Sequence, residues 1–221
     1  MPRPALPKIY HIVHVDKLPS VLADGCLWSD GEMASRPDRG TVIGMSDIKR
    51  RRLTELTLAS RPGLHVGECV PFYFCPRSVM LYLLRQANHA GLTYRGGEGP
   101  IVHLEADLQA TVGWAASAGH RWAFTLSNAG AKYFEDRADL SQLDEINWEA
   151  VAATTWSGQG VPSSVKDGKQ AEFLVERHFP WALVERIGVR SQETAQRVSD
   201  ALGGHPHRPA TEIRKDWYYG D

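Results

Sequence analysis

One stretch limits the fold more than any other: Val70-Pro71-Phe72-Tyr73-Phe74-Cys75-Pro76-Arg77-Ser78-Val79-Met80-Leu81-Tyr82. Its apolar, aromatic start reads as a buried strand over residues 70–74. It then turns through a Pro-Arg-Ser corner, where Ser78 caps an apolar helix over residues 79–88. Further strands are expected at 9–15, 101–105, 122–126, 171–177, 187–190 and 211–214, where β-branched and aromatic residues gather. Helices are expected from Asp16 to Leu22, ended by Gly25, from Ser46 or Asp47 to Leu58, around 143–153 and from Glu193 to Leu202. Residues 1–8 read as a flexible Pro-rich tail and 29–41 as a loop. Residues 111–168 are the least regular part. Helices fall early and strands late, without βαβ alternation, so the fold class is α+β in one domain of 1–221.

The chain has 221 residues, 43% of them hydrophobic, enough for a full core. Its 25 Lys and Arg balance 26 Asp and Glu. That excludes a protein held to nucleic acid by bulk charge and leaves room for a local basic groove. No apolar run approaches the ~20 residues of a membrane span, and the Met1-Pro-Arg-Pro start lacks an apolar signal core. Cys26, Cys69 and Cys75 are odd in number, which suits free thiols in a reducing cytoplasm. Most of the 7 Trp are expected in the core.

Gly96-Gly97-Glu98-Gly99 precedes a strand, not a helix, and there is no phosphate-binding P-loop. A dinucleotide-binding dehydrogenase and a P-loop NTPase are thereby disfavoured. No Cys pair or His-Glu-x-x-His has zinc spacing. His11 and His14, three apart on a strand, point to opposite faces and do not share an ion. No metal is expected.

Ile48-Lys49-Arg50-Arg51-Arg52 is the sharpest charge cluster. From Arg36 to Arg61 seven cations face three acids, Asp38, Asp47 and Glu55. The run is either a solvated helix face or a site whose mutual repulsion a diphosphate or nucleic-acid backbone relieves. In Gln170-Ala171-Glu172-Phe173-Leu174-Val175-Glu176, alternation puts Glu172 on the face of Leu174, opposite Phe173 and Val175. A carboxylate there is either solvent-facing or a placed catalytic group.

Six segments together resemble the DarT family of DNA ADP-ribosyltransferase toxins. They are Tyr10–His14, Ile48-Lys49-x-Arg51-Arg52, the block 70–82, Tyr94-x-Gly96-Gly97, Gln170–Val175 and Ile213–Tyr219. The resemblance spans about 9–219 and is thinnest over 111–168. It implies an ADP-ribosyltransferase fold with a split central sheet. It also implies a reaction in which NAD loses nicotinamide and ADP-ribose joins a base of single-stranded DNA, thymine first and guanine as the alternative. A macrodomain antitoxin is the implied partner. RNA or protein as target, and a nucleic-acid-binding module without chemistry, are the competing readings.

The resemblance makes Glu172 the carboxylate beside a ribose that turns cationic. It gives an arginine of the basic helix, Arg52 or else Arg51, the task of handling the thymine N3 proton. That arginine acts either as a strongly perturbed base or by stabilising the deprotonated base. NAD would contact His11, Ile12, Val13, Ser20, Trp28, Arg52, Tyr73, Ser78 and Met80. The irregular region 111–168 would recognise substrate through Trp114, His120 and Trp122. Arg77, Arg95, Arg214 and Lys215 would form a narrow cationic track for DNA.

Overall fold

The computed structural model describes residues 2–36 and 40–220. Asp38 lies outside the described residues. Ten strands are present among the described residues: β1 (Lys8–His14), β2 (Cys26–Trp28), β3 (Cys69–Tyr73), β4 (Ile101–Asp107), β5 (Trp122–Asn128), β6 (Asp136–Arg137), β7 (Ala171–Glu176), β8 (His178–Pro180), β9 (Val184–Val189) and β10 (Ala210–Ile213). The helices are α1 (Leu18–Asp24), α2 (Asp30–Met33), α3 (Ser46–Thr54), α4 (Val79–Gln86), α5 (Leu108–Ala118), α6 (Trp148–Ala152), α7 (Ser163–Gly168) and α8 (Gln192–Leu202). No helix among the described residues is long and apolar enough to cross a membrane.

Eight strands form one sheet in the order β10-β9-β4-β1-β3-β7-β5-β6, and β2 pairs with β8 in a small second sheet. The large sheet is split. β1 pairs with β4 from Lys8 to His14 but touches β3 at the single pair Tyr10–Tyr73. Beyond that bridge, β1 and β3 diverge and leave a cleft between two half-sheets. The resemblance implied this feature, and the registers display it.

The core explains the strand spacing. Phe72, Phe173, Val175, Phe124 and Phe179 are fully buried in one cluster. Leu174 faces the other way, into a smaller cluster with Leu56, Leu58, Leu64 and Val66. Alternation along β7 therefore puts Glu172 with Leu174, opposite Phe173.

Caps end the helices as their residues dictate. Gly25, at φ 68°, closes α1 in the left-handed region that only Gly enters cheaply. The Ser78 hydroxyl accepts from the Leu81 amide and starts α4.

The departures have local causes. α3 stops at Thr54, short of the expected Leu58, because Leu56 and Leu58 turn inward to the smaller cluster. Residues 29–41 contain a helix, α2, capped by the Ser29 hydroxyl. Residues 111–168 are more regular than expected. α5 is an 11-residue helix capped by Asp107 and Gly119, followed by the seven-residue β5. Its small residues, Ala110, Gly113, Ala115, Ala116 and Ala118, blur the apolar stripe by which a helix is read. Helices and strands also alternate along the whole chain rather than separating into halves.

Candidate active site

A cleft of about 350 Å³ opens where β1 parts from β3, with α2 and α3 forming its rim. Glu172 lies at its base. The Glu172 side chain is 4% exposed and meets Arg52, 12% exposed, in a two-pronged ion pair. Arg52 Nη2 donates to Oε2 at 2.9 Å and Nη1 to Oε1 at 3.4 Å. The Ala129 amide adds a third donor to Oε1 at 3.2 Å.

That amide points inward because the β5–β7 register slips between Phe124 and Asn128. Thr125 Oγ1 accepts from the Glu172 amide at 3.0 Å, fixing the strand from behind. The carboxylate is thus held by three donors from two groups, and its backbone by Thr125, before any ligand arrives. Burial alone would lower the Arg52 pKa, but the Glu172 charge and its hydrogen bonds, helped by Tyr73 and Asp30, together outweigh it and hold the guanidinium above its ordinary value.

Tyr73 sits directly across the ladder from Glu172. Burial, then the Glu172 charge, pushes its phenol well above the usual range, so it stays protonated. His11 Nδ1 donates to the Pro71 carbonyl at 2.6 Å, which fixes the ring and leaves Nε2 as its acceptor. Burial lowers the His11 pKa, favouring the neutral ring.

The basic helix resolves its own repulsion with protein carboxylates. Lys49 pairs with Asp30 at 2.6 Å, Arg50 and Arg51 face Glu55 at 3.8 and 3.9 Å, and Arg52 takes Glu172. An external anion is not needed to explain the run. Arg51 does not reach the cleft, so of the two arginines only Arg52 is brought to Glu172.

His11, Ile12, Val13, Ser20, Trp28, Tyr73 and Met80 line the cleft with Arg52 and Glu172. Ser78 does not. It is fully buried, and its hydroxyl is spent on the α4 cap.

None of the residues expected on DNA lines this cleft. Trp122 is in the core, stacked 5.9 Å from Phe173, with Arg61 over its ring, and offers no free face for a base. Trp114 stacks on His120, and both meet His178, which meets Trp28 at 5.4 Å; this small ladder touches the cleft only at Trp28. Arg214 is tied to Asp216 at 2.8 Å and lies over Trp217. Arg95 and Lys215 are exposed, Arg95 donating to the Tyr94 carbonyl. Arg77 lies in a separate cleft. Asp216, the partner of Arg214, lines that same cleft.

Sequence reasoning missed Asp30, Lys49, Asn128 and Gln170 at the rim. Asn128 donates to Gln170 at 3.0 Å, joining the end of β5 to the start of β7. The available signal was Gln170, two residues before Glu172 on the same strand face. Among the described residues, no group of three or more His, Cys, Asp or Glu is arranged to hold a metal ion.

A sheet split over a cleft with a clamped acid at its base is the architecture of an ADP-ribosyltransferase. The family model described as DarT, ssDNA thymidine ADP-ribosyltransferase, matches residues 10–219. A DNA ADP-ribosyl transferase of Thermus sp. (strain 2.9) is 40% identical over 217 residues, covering 96% of this chain and 95% of the relative. The structure of Thermus sp. 2.9 DarT in complex with ADP-ribosylated ssDNA superposes with a TM-score of 0.87 at 36% identity, over 99% of this chain and 100% of that one. The same Thermus protein in complex with NAD+ gives a TM-score of 0.82 at 35% identity, over 98% and 99%. The chain belongs to the DarT family.

Proposed function

We propose that this chain transfers ADP-ribose from NAD to thymine in single-stranded DNA and releases nicotinamide. The observation that carries the reading is the Arg52–Glu172 fork at the base of the split-sheet cleft. Family membership supports it, as do the ligands named for the similar Thermus structures, NAD+ and ADP-ribosylated ssDNA.

The cleft suits NAD chemically. Its lining includes the apolar and aromatic side chains Trp28, Tyr73 and Met80, and His11 presents an acceptor nitrogen. When bound, NAD supplies a ribose carbon that becomes electron-poor as nicotinamide departs with the electron pair of the broken bond. Glu172 provides a fixed negative charge toward that carbon. Preorganised charge of this kind is worth about 10²–10³ in rate for one group.

The acceptor nitrogen of thymine must lose a proton as it bonds to the sugar. Arg52, held as a cation by Glu172, is suited to stabilise the anionic imide and poorly suited to accept a proton, which we assign to solvent. Tyr73, kept protonated, offers a flat wall and a hydroxyl donor. A base stacked inside a duplex hides its Watson–Crick edge, so an unpaired strand is the substrate.

We read the chain as one ADP-ribosyltransferase domain working in the cytoplasm, where Cys26, Cys69 and Cys75 remain free thiols. A macrodomain antitoxin that removes the mark is its expected partner. The test is incubation of labelled NAD with equal amounts of single-stranded DNA, RNA and cell protein. Label on thymine-containing DNA supports the reading. Label confined to RNA, protein or guanine replaces it.

A further inference from the structure

Asp16 stands where the sequence expects a helix cap, but its carboxylate is engaged elsewhere. α1 starts after Lys17 without a side-chain cap bond. The Asp16 side chain reaches instead to Thr41, 25 residues further along the chain. Its Oδ1 accepts from the Thr41 amide at 2.9 Å and its Oδ2 from the Thr41 hydroxyl at 2.6 Å. His14 Nδ1 lies 2.8 Å from the same Oδ1.

These contacts join two stretches of the cleft lining. His14 and Lys17 belong to the end of β1 and the turn after it, and both line the cleft. Residues 41–45, which lead into α3, line it as well. Asp16 is not part of the lining, and its side chain is 36% exposed. It therefore acts on the cleft through Thr41.

Little else ties the 40–45 segment down. Among the described residues, the Asp16 carboxylate is the only hydrogen-bond partner of residues 40–44. Ile43 and Met45 add apolar packing against the cluster that holds Ile12, Leu81 and Leu84. Gly40 shows how close the approach is. Its φ of 83° lies in the left-handed region, and a Cβ there would stand 2.9 Å from Asp16 Oδ1 and 3.0 Å from the Asp16 carbonyl oxygen. Hydrogen bonds to an ionised acceptor are about twice as strong as neutral ones. Partial burial would raise the Asp16 pKa, but the Thr41 hydroxyl and amide and His14 outweigh it and hold the carboxyl below its ordinary value.

We infer that Asp16 is a positioning residue for NAD: by holding Thr41 it keeps residues 41–45 in place as a wall of the cleft before the dinucleotide binds. The inference rests on the NAD-using reading above. A wall that must be ordered at the moment of binding lowers affinity by the fraction of molecules in which it is already in place. The chemical step is untouched, because Arg52 and Glu172 hold each other without help from Thr41.

The test compares the wild type with Asp16→Ala, Asp16→Asn, Gly40→Ala and the double variant Asp16→Ala/Gly40→Ala. NAD affinity is measured by calorimetry without DNA, KM and kcat by transfer to a single-stranded oligonucleotide, and fold by melting without NAD. Asp16→Ala should raise the Kd and KM for NAD about tenfold with kcat at saturating NAD unchanged. Asp16→Asn keeps an acceptor for the Thr41 amide and a donor for its hydroxyl, so it should restore most of the affinity. Gly40→Ala should raise KM by the same route and add little on top of Asp16→Ala, since both undo one contact. Wild-type Kd and KM in a folded Asp16→Ala, or a loss confined to kcat, overturns the inference while the transfer reaction stands. So does a Gly40→Ala effect that adds in full to that of Asp16→Ala. A wild-type protein that binds no NAD removes the reading beneath it.

Discussion

Arg52 and Glu172, 120 residues apart in the chain, form a buried two-pronged ion pair at the base of the cleft. Such a pair is asymmetric in its failures: removing one partner leaves the other charge buried alone. Arg52→Ala should therefore destabilise the protein by about 3–5 kcal/mol. Glu172→Gln keeps an acceptor for Arg52 and the Ala129 amide, so it should cost less than Glu172→Ala. Denaturant unfolding of the three variants checks the order. Equal losses for Gln and Ala at position 172 would show that the pair is not holding the site.

Ser78 separates the structural role from the ligand role assigned by resemblance. Its hydroxyl caps α4 and lies outside the cleft. Ser78→Ala should lose about 1 kcal/mol, a fall of about 2–4 °C in melting temperature for a chain of this size. The KM for NAD should hold at its wild-type value. A raised KM with an unchanged melting temperature would return Ser78 to the ligand site.

Trp122 gives the same contrast for DNA. The ring is sealed between Phe173 and Arg61. Trp122→Ala should cost about 3–5 kcal/mol. At temperatures where the variant is folded, its affinity for single-stranded DNA should match the wild type. Loss of DNA affinity with little loss of stability would contradict the packing.

His103, fully buried between the Trp217 and Tyr218 rings, makes stability depend on pH. Burial lowers its pKa to about 4, against an unfolded value of about 6.5. At pH 7 the ring is neutral in both states. Below about pH 6.5 the unfolded chain takes up a proton that the folded chain refuses until about pH 4, so stability is lost as pH falls through that window. The loss grows to roughly 3 kcal/mol at its lower end, and His11, shifted the same way, adds to it. Unfolding of the wild type and His103→Gln at pH 7.5, 6 and 5 should show a flatter profile in the variant. Parallel profiles would contradict the assignment.

The sequence made the sheet strands and the Glu172 face legible because alternation and β-branching are local properties. β1, β3, β7 and the start of α4 lie where those patterns placed them. The short elements β2, α2, β6 and α7 escaped because two to six residues carry too little periodicity. Site residues followed the same rule. Resemblance brought His11, Trp28, Tyr73 and Glu172 to one cleft.

What local patterns do not carry is everything that depends on the unseen partner. Arg214 looked like a free cation until Asp216 was found at 2.8 Å. Trp122 looked available until β7 put Phe173 beneath it. The choice between Arg51 and Arg52 turned on one helical step of about 100°, which no local pattern in a run of four cations fixes.

The most direct measurement is mass analysis of a mixed-sequence single-stranded oligonucleotide incubated with NAD and either the wild-type protein or Glu172→Gln, with the NAD-induced melting shift recorded for both. The wild type should add one ADP-ribose to a thymine. The variant should bind NAD and transfer it at least 10²-fold more slowly. Near-wild-type transfer by a folded, NAD-binding Glu172→Gln would contradict the account.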